Sequence, residues 1–288
     1  MNTVLVTGVR GKTGRQVASA LVRAGGVTVR GAGRRVTDLS IPGVIPSHFD
    51  WDEPASWPKA LDGINAIYLV KPKTADPAGT VASFLQSAAS IERLVLLSEI
   101  DAGNRNEATD ERKVERVIES SPIAWTILRP NWFMQNFTEP SFYLEAIRDV
   151  AELKVPTGGK PTSFVDTRDI ADVAMAALLD LSHAGQHYTL TGPQALTLTE
   201  VASLIGQAAG HPVRYIDTPL DDYLKVLSDK GTAKATVEYY RRIYGCIQEC
   251  RASVISPDVE QVTGHSPRTF AAFVEENQNV WRRIAAHP

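Results

Sequence analysis

Cysteine is scarce in this 288-residue chain: Cys246 and Cys250 are the only two, spaced C-x-x-x-C. No second cysteine or histidine pair completes a ligand set, so the pattern argues against zinc and the two read as reduced, ordinary thiols. His48, His183, His187, His211, His265 and His287 are scattered and suggest neither a metal site nor a catalytic triad. Net charge is equally slight. Thirty basic against 33 acidic residues leave −3, with both signs interspersed, which points away from nucleic acid or an acidic membrane surface as partner. Apolar runs stop short of a bilayer span, no leader pattern precedes the first strand, and no repeat or low-complexity tract occurs. The expectation is a soluble cytoplasmic protein, long enough to bury its core without staples.

What is present starts at once. An apolar and β-branched run, Thr3 to Thr7, breaks into three glycines spaced three apart, Gly8, Gly11 and Gly14. Strand, tight turn and helix follow from that order: Gly8 permits the turn, Gly11 leaves no Cβ between the backbone and a bound phosphate, and Gly14 brings the helix close to the strand. The spacing is G-x-x-G-x-x-G. Amides of the turn, the helix start near Thr13, and Arg10, Lys12 and Arg15 would face the pyrophosphate of a dinucleotide. Val17, Ala18, Leu21 and Val22 continue with helical spacing to a stop at Gly25-Gly26, and a second strand begins at Val27. Beyond that strand stand Arg34 and Arg35, where an NAD-specific protein would carry a carboxylate for the ribose hydroxyls. Guanidinium forks instead suit a 2′-phosphate, so NADP(H) is the expected cofactor.

Further along, residues 44–51 read as a third strand ending in Asp50 and Trp51, which either flank the adenine or pack a loop. Residues 64–70 form a buried-type strand whose exit, Val70-Lys71-Pro72, should border the nucleotide. A helix over about 77–90 leads to a strand at 94–97 with Ser98 and Glu99 at its exit. A polar loop (101–109), a helix over about 110–120 and a strand ending at Pro130 follow, with Pro130 and Ser98 counted among the cofactor neighbours. Strand-helix alternation without hairpin signals predicts an α/β parallel sheet of at least six strands. Residues 131–137 (Asn131-Trp132-Phe133-Met134-Gln135-Asn136-Phe137) are too aromatic for a solvent loop. Trp132, Phe133, Met134, Asn136 and Tyr143 are the candidate wall for a planar or polycyclic substrate, with core packing under a lid as the other reading. Asp166, Arg168 and Asp169 read as structural groups at the start, residues 166–169, of a helix whose apolar face runs to Leu178, and 187–191 as one more strand. A helix over 199–209, a short strand at 213–216, helices rich in tyrosine and lysine across 221–244 and a terminal helix over 270–284 complete the chain.

The opening Thr7 to Gly14, the run from Trp125 to Phe137 and the segment Phe164 to Ala171 together resemble NmrA-like members of the atypical short-chain dehydrogenase/reductases. Tyr188 to Pro193 and Asp258 to Gly264 extend the resemblance over nearly the whole chain, with the agroclavine dehydrogenase type and bacterial relatives the nearest in appearance. The resemblance implies an α/β, doubly wound Rossmann-type parallel sheet as an NADP(H)-binding domain at 1–130 with a returning segment at about 164–192. It also implies a smaller C-terminal α/β substrate-binding or lid region at 131–163 and 193–288. Such proteins either reduce small molecules or bind the nucleotide as sensors that regulate a protein partner without turnover; a homodimer is an open expectation. The usual Tyr-x-x-x-Lys pair is missing: Lys113 stands near the lysine position, and four residues before it is Thr109. Reactions needing little proton assistance are therefore favoured, namely reduction of an iminium or imine, an activated C=C bond or a quinone. Ser98, Glu99 and Lys113 are the catalytic candidates, with Glu111 behind them.

Overall fold

The computed structural model describes residues 2–88, 90–104 and 109–282. Part of the polar loop (105–108), His287 and the end of the expected terminal helix lie outside the described residues. In chain order the elements are β1 (Asn2–Val6), α1 (Lys12–Ala24), β2 (Val27–Gly33), β3 (Val44–His48), α2 (Trp57–Leu61), β4 (Ala66–Val70), α3 (Pro77–Ser87), β5 (Arg93–Leu97), α4 (Asp110–Glu119) and β6 (Ala124–Pro130). They continue with β7 (Glu152–Val155), α5 (Thr167–Leu179), β8 (Gln186–Leu190), α6 (Leu198–Ala209), β9 (Arg214–Asp217), α7 (Leu220–Asp229), α8 (Lys234–Gln248), α9 (Asp258–Thr263) and α10 (Phe270–Glu276). The chain divides into two compact units. The first holds residues up to 130 with 167–190 and 257–265; the second holds 131–166, 191–256 and 266 onward.

The first unit is a seven-stranded, wholly parallel sheet in the order β3-β2-β1-β4-β5-β6-β8. Both faces are covered, so central strands must be apolar throughout: Leu5, Val6, Ile67, Leu69, Val95 and Leu96 are all at most 1% exposed. Pro46, which has no N–H to donate, sits in the edge strand β3, where the loss is tolerated. The chain leaves β1 in one direction to β2 and β3 and later in the other to β4, β5, β6 and β8. A crevice therefore opens at the carboxyl ends of β1 and β4. Helix α1 buries Val17, Ala18 and Leu21 as their spacing predicts, and ends where the Gly25 amide donates to the Leu21 and Val22 carbonyls at φ +72°. One buried cluster joins Phe49, Trp57 and Phe84, with Trp51 packed edge-to-face on all three at 4.8–6.2 Å. Trp51 thus follows the loop-packing reading. His265 reaches Asp172 at 3.4 Å, next to Asp169, so the acid-rich start of α5 meets the segment after α9.

The second unit is built on an apolar and aromatic core that includes Phe137, Tyr143, Phe164, Phe270, Phe273 and Trp281. Its two-stranded parallel sheet pairs β7 with β9. Strand β7 escapes sequence reading because four residues with one alternation carry too little periodicity. Helix α6 begins with a complete capping box, Thr197 and Glu200 satisfying each other's backbone amides. The expected terminal helix is shorter than its apolar spacing suggests: α10 stops at Glu276, where the Asn277 side chain donates to the Phe273 carbonyl. Trp281 then turns inward, its indole N–H donating to the Phe137 carbonyl at 2.7 Å. Helix α3 likewise ends at Ser87, three residues before the expected boundary.

Gly14 fixes how closely α1 approaches β1. A Cβ there would lie 2.3 Å from the Gly8 carbonyl oxygen, a backbone atom that cannot swing away. Gly14→Ala should therefore lower stability by about 1–3 kcal/mol, read as the urea midpoint; an unchanged midpoint would refute that constraint.

Candidate functional site

Thr7 closes the floor of the switch-point crevice. Its hydroxyl donates to the Tyr68 carbonyl at 3.1 Å and accepts from the Val70 amide at 2.8 Å, tying the end of β1 to the end of β4. The loop above it turns at Gly8, φ +60°, where a Cβ would press on the Val70 side chain at 3.2 Å. The Gly11 amide donates back to the Gly8 carbonyl at 2.8 Å. A Cβ on Gly11 would meet that same oxygen at 3.1 Å, so the loop itself already restricts this position. Gly11 is also the N-cap of α1, which has neither a side-chain cap nor an acid in its first turn. Helix-start amides at an exposed glycine loop make an anion site. Thr13 is buried beneath it, and Lys12 is half-buried beside it.

Arg10, Arg34 and Arg35 are exposed around the loop after β2. Arg10 is fastened there: its Nε donates to the Arg35 carbonyl at 2.6 Å and its guanidinium pairs with Asp38. Asp50 organises its own turn, accepting from the Asp52 amide, while its carbonyl accepts from the Trp57 indole at 2.8 Å.

The register of the central strands aligns Val70 with Leu97 and Leu97 with Leu128, so Lys71, Ser98 and Arg129 follow side by side at the sheet's carboxyl edge. Behind them α4 turns two carboxylates inward at i, i+4 spacing. Glu111 pairs with Lys71 at 2.6 Å. Glu115, fully buried, accepts from the Ser98 hydroxyl at 2.6 Å, from Arg129 through Nε at 3.0 Å and Nη2 at 2.8 Å, and from Arg112 at 2.7 Å. Arg112 continues to Glu119 at 2.8 Å, which also meets His187 at 3.0 Å. Gly103 makes room for the Arg129 guanidinium, since a Cβ there would fall 2.3 Å from Nη1. Burial alone would raise the Glu115 carboxyl; hydrogen bonds from Arg129, Ser98 and Arg112 and the Arg129 charge outweigh it and hold the group below the ordinary carboxylate range. Glu119 is lowered for the same reasons, burial opposing Arg112 and His187.

Two consequences follow for the catalytic candidates. The single Ser98 proton is committed to Glu115, so Ser98 presents lone pairs to a ligand. Lys113, by contrast, lies on the exposed face of α4 and is corrected to a solvated helix charge, because the inward face belongs to Glu111, Arg112, Val114, Glu115 and Ile118. Thr109, at the place of the missing tyrosine, caps α4 by accepting from the Arg112 amide. Glu99 is half-buried at the exit of β5, and Pro72 is buried after Lys71. The Pro130 carbonyl accepts from the Ile100 amide at 2.9 Å. Sequence reading passed over Glu115 and Arg112; their signal was a charged triad at i, i+3 and i+7 that an amphipathic α4 directs inward with its apolar residues.

In the second unit, residues 131–137 are pinned rather than loose. Asn131 is buried and donates to the Ser163 hydroxyl and the Ala252 carbonyl, both at 2.7 Å. Phe133 bridges Val165 as a short parallel pair. Trp132 and Phe133 keep exposed surface. Met134, Asn136 and Tyr143 are 1%, 6% and 9% exposed, so of the expected substrate wall these three lie within or against the core and back the wall. Sequence reading also left unnamed the tyrosines around Trp132. The Trp132 ring lies 5.3 Å from Tyr244, which contacts Tyr223 edge-to-face at 5.2 Å and stacks on Tyr240 at 6.1 Å.

Glu115 links this geometry to acid stability. Its folded pKa lies below its unfolded one, so its contribution is present above the ordinary carboxylate value and lost as pH falls through the folded one. The urea midpoint should fall below about pH 4.3, with Glu119 contributing in the same direction. Glu115→Ala should lower stability by about 1–3 kcal/mol at pH 7, because Arg129 and Ser98 lose the carboxylate they share while Arg112 keeps Glu119; a midpoint unchanged by that substitution would refute the role.

Comparison with known proteins finds relatives along nearly the whole chain. The chain is 31% identical over 280 residues to an NAD(P)H azoreductase of Xenophilus azovorans, covering 94% of this chain and 96% of the relative. It is 27% identical over 292 residues to the agroclavine dehydrogenase of Claviceps fusiformis, covering 97% and 98%. Among solved structures, the NADPH complex of an NADPH-dependent quinone oxidoreductase from Escherichia coli superposes with a TM-score of 0.81 at 20% identity, covering 95% of this chain and 99% of that one. The NmrA-like family matches residues 1–273, and the chain belongs to it.

Proposed function

We propose that the protein is an NADP(H)-dependent reductase of small planar or polycyclic organic acceptors, the reducible group being an imine or iminium, an activated C=C bond or a quinone. One arrangement carries this reading: an exposed glycine loop that opens on an uncapped helix start, with Arg34 and Arg35 exposed beyond the neighbouring strand. The residues fit the nucleotide. Amides of the loop and of α1, with Lys12 and Thr13 beside them, would hold the pyrophosphate, and the two arginines the 2′-phosphate. Val70, Lys71, Pro72, Ser98 and Pro130 stand at the strand ends where nucleotides sit in open parallel sheets. NADPH supplies the hydride when bound.

The first unit is then the cofactor-binding domain and the second the substrate-binding region. Lys71, held by Glu111, brings a positive charge to the sheet edge that favours negative charge developing on a reduced acceptor. Ser98 accepts a hydrogen bond from a ligand N–H or O–H, because Glu115 holds its proton. Trp132 and Phe133 offer flat apolar surface to an aromatic acceptor. Similarity to relatives named for azo reduction and for agroclavine dehydrogenation supports this class of acceptor.

NADPH consumption over a panel of quinones, imines, azo compounds and enones tests the reading, with turnover of at least one class expected. Tight NADPH binding without consumption across the panel would instead identify a nucleotide sensor. Replacing Arg34 and Arg35 together by Ala should weaken NADPH binding about 10- to 100-fold while leaving NADH binding within about two-fold; equal losses would remove the 2′-phosphate assignment.

A further inference from the structure

One acid stands among the cations of the loop after β2. From Val27 to Ser47 the chain has Arg30, Arg34 and Arg35 but a single carboxylate, Asp38. Two turns of the first unit bring that carboxylate to the glycine loop. In one, the Gly11 amide closes on the Gly8 carbonyl at 2.8 Å with Val9 and Arg10 between them. In the other, the Leu39 amide closes on the Val36 carbonyl at 3.1 Å with Thr37 and Asp38 between them. Gly31 of β2 lets the turns meet. A Cβ there would lie 2.9 Å from Val9 Cγ2 and 2.8 Å from Leu39 Cδ2, so these two side chains fill the space a larger residue would take. Their neighbours Arg10 and Asp38 are left at the surface, where they pair, the side chains 44% and 74% exposed.

We propose that Arg10 is a third guanidinium of the 2′-phosphate site and that Asp38 is its internal counter-anion, a selectivity residue that holds NADPH affinity down. The proposal rests on the NADP(H) reading given above. Arg10 does not need Asp38 to stay in place, because its Nε donates to the Arg35 carbonyl at 2.6 Å and spans the two turns by itself. An exposed ion pair adds little to such an anchorage. Its effect on charge is larger. Arg10, Arg34 and Arg35 against Asp38 leave two positive charges on this loop, which a phosphate monoester with about two negative charges at pH 7 would balance. Asp38 takes Nη2 of Arg10, so a phosphate reaching that guanidinium must share it with the carboxylate or displace the carboxylate. Either way the acid opposes binding. A unit charge about 6 Å from a dianion in water weakens affinity about ten-fold before screening and about three-fold after it. NADH carries a hydroxyl at this position and escapes that repulsion.

Titration with NADPH, NADH, adenosine 2′,5′-bisphosphate and ADP isolates the charge without any need for turnover. Asp38→Asn keeps an oxygen that accepts from Arg10 and loses the negative charge, and at an exposed position it spares the core. It should tighten NADPH and the bisphosphate about 3- to 10-fold, with NADH and ADP within about two-fold. Arg10→Gln should weaken the two 2′-phosphorylated ligands about 10-fold and leave the other two within about two-fold. Weaker NADPH binding in Asp38→Asn, or equal changes across all four ligands in either variant, would overturn the proposal. A wild-type preference for the 2′-phosphorylated ligands that both variants leave unchanged would overturn it alone. Wild-type protein that binds NADPH no tighter than NADH, and the bisphosphate no tighter than ADP, would remove the 2′-phosphate site as a whole, Arg34 and Arg35 included.

Discussion

The close approach of α1 to β1, permitted where Gly14 stands on the Gly8 carbonyl, is the constraint from which the nucleotide end of the first unit follows. It sets the helix start over the crevice where strand order reverses, with Thr7 bracing β1 against β4 beneath. Backbone geometry rather than side chains forms the cradle. Two of the glycines are needed for space or turn within the loop, and their exposure leaves its amides to an anion.

At the other end of the edge, electrostatics takes over. Glu115 is fully buried and would be costly as an isolated charge, yet two arginines and a serine surround it. Such a group adds little net stability against an apolar replacement, but it fixes geometry, because each partner can make its bonds in one arrangement. What it fixes is Ser98, whose lone pairs face outward because its proton does not. The edge thus combines an acceptor at Ser98 with the Lys71 ammonium one strand away.

The sheet was legible in the sequence because its central strands are buried on both faces and must be nearly continuous apolar runs; 66–70, 93–97 and 124–130 could hardly be anything else. The glycine loop was legible for the same kind of reason, since few folds place three glycines between a strand and an amphipathic helix. Less visible were groups whose role depends on which way a helix faces. Lys113 and Glu115 are two residues apart, and only the apolar positions Val114 and Ile118 decide that the glutamate turns inward and the lysine outward. In the second unit, Met134 and Tyr143 read from the sequence as pocket wall or as core, and the distant Phe270, Phe273 and Trp281 of the same buried cluster decide for the core. The meeting of Tyr143 with Tyr244 was hidden altogether, the two lying 101 residues apart.

Trp281 donates to Phe137 across 144 residues, and Asn131 reaches Ala252 across 121. Contacts of that separation close late, since chain entropy must be spent before they form. During synthesis the second core therefore stays incomplete until Trp281 has cleared the ribosome, and until then Phe137, Phe164 and Tyr143 have apolar surface to hide. A nascent chain arrested before that tryptophan is the form most in need of a chaperone.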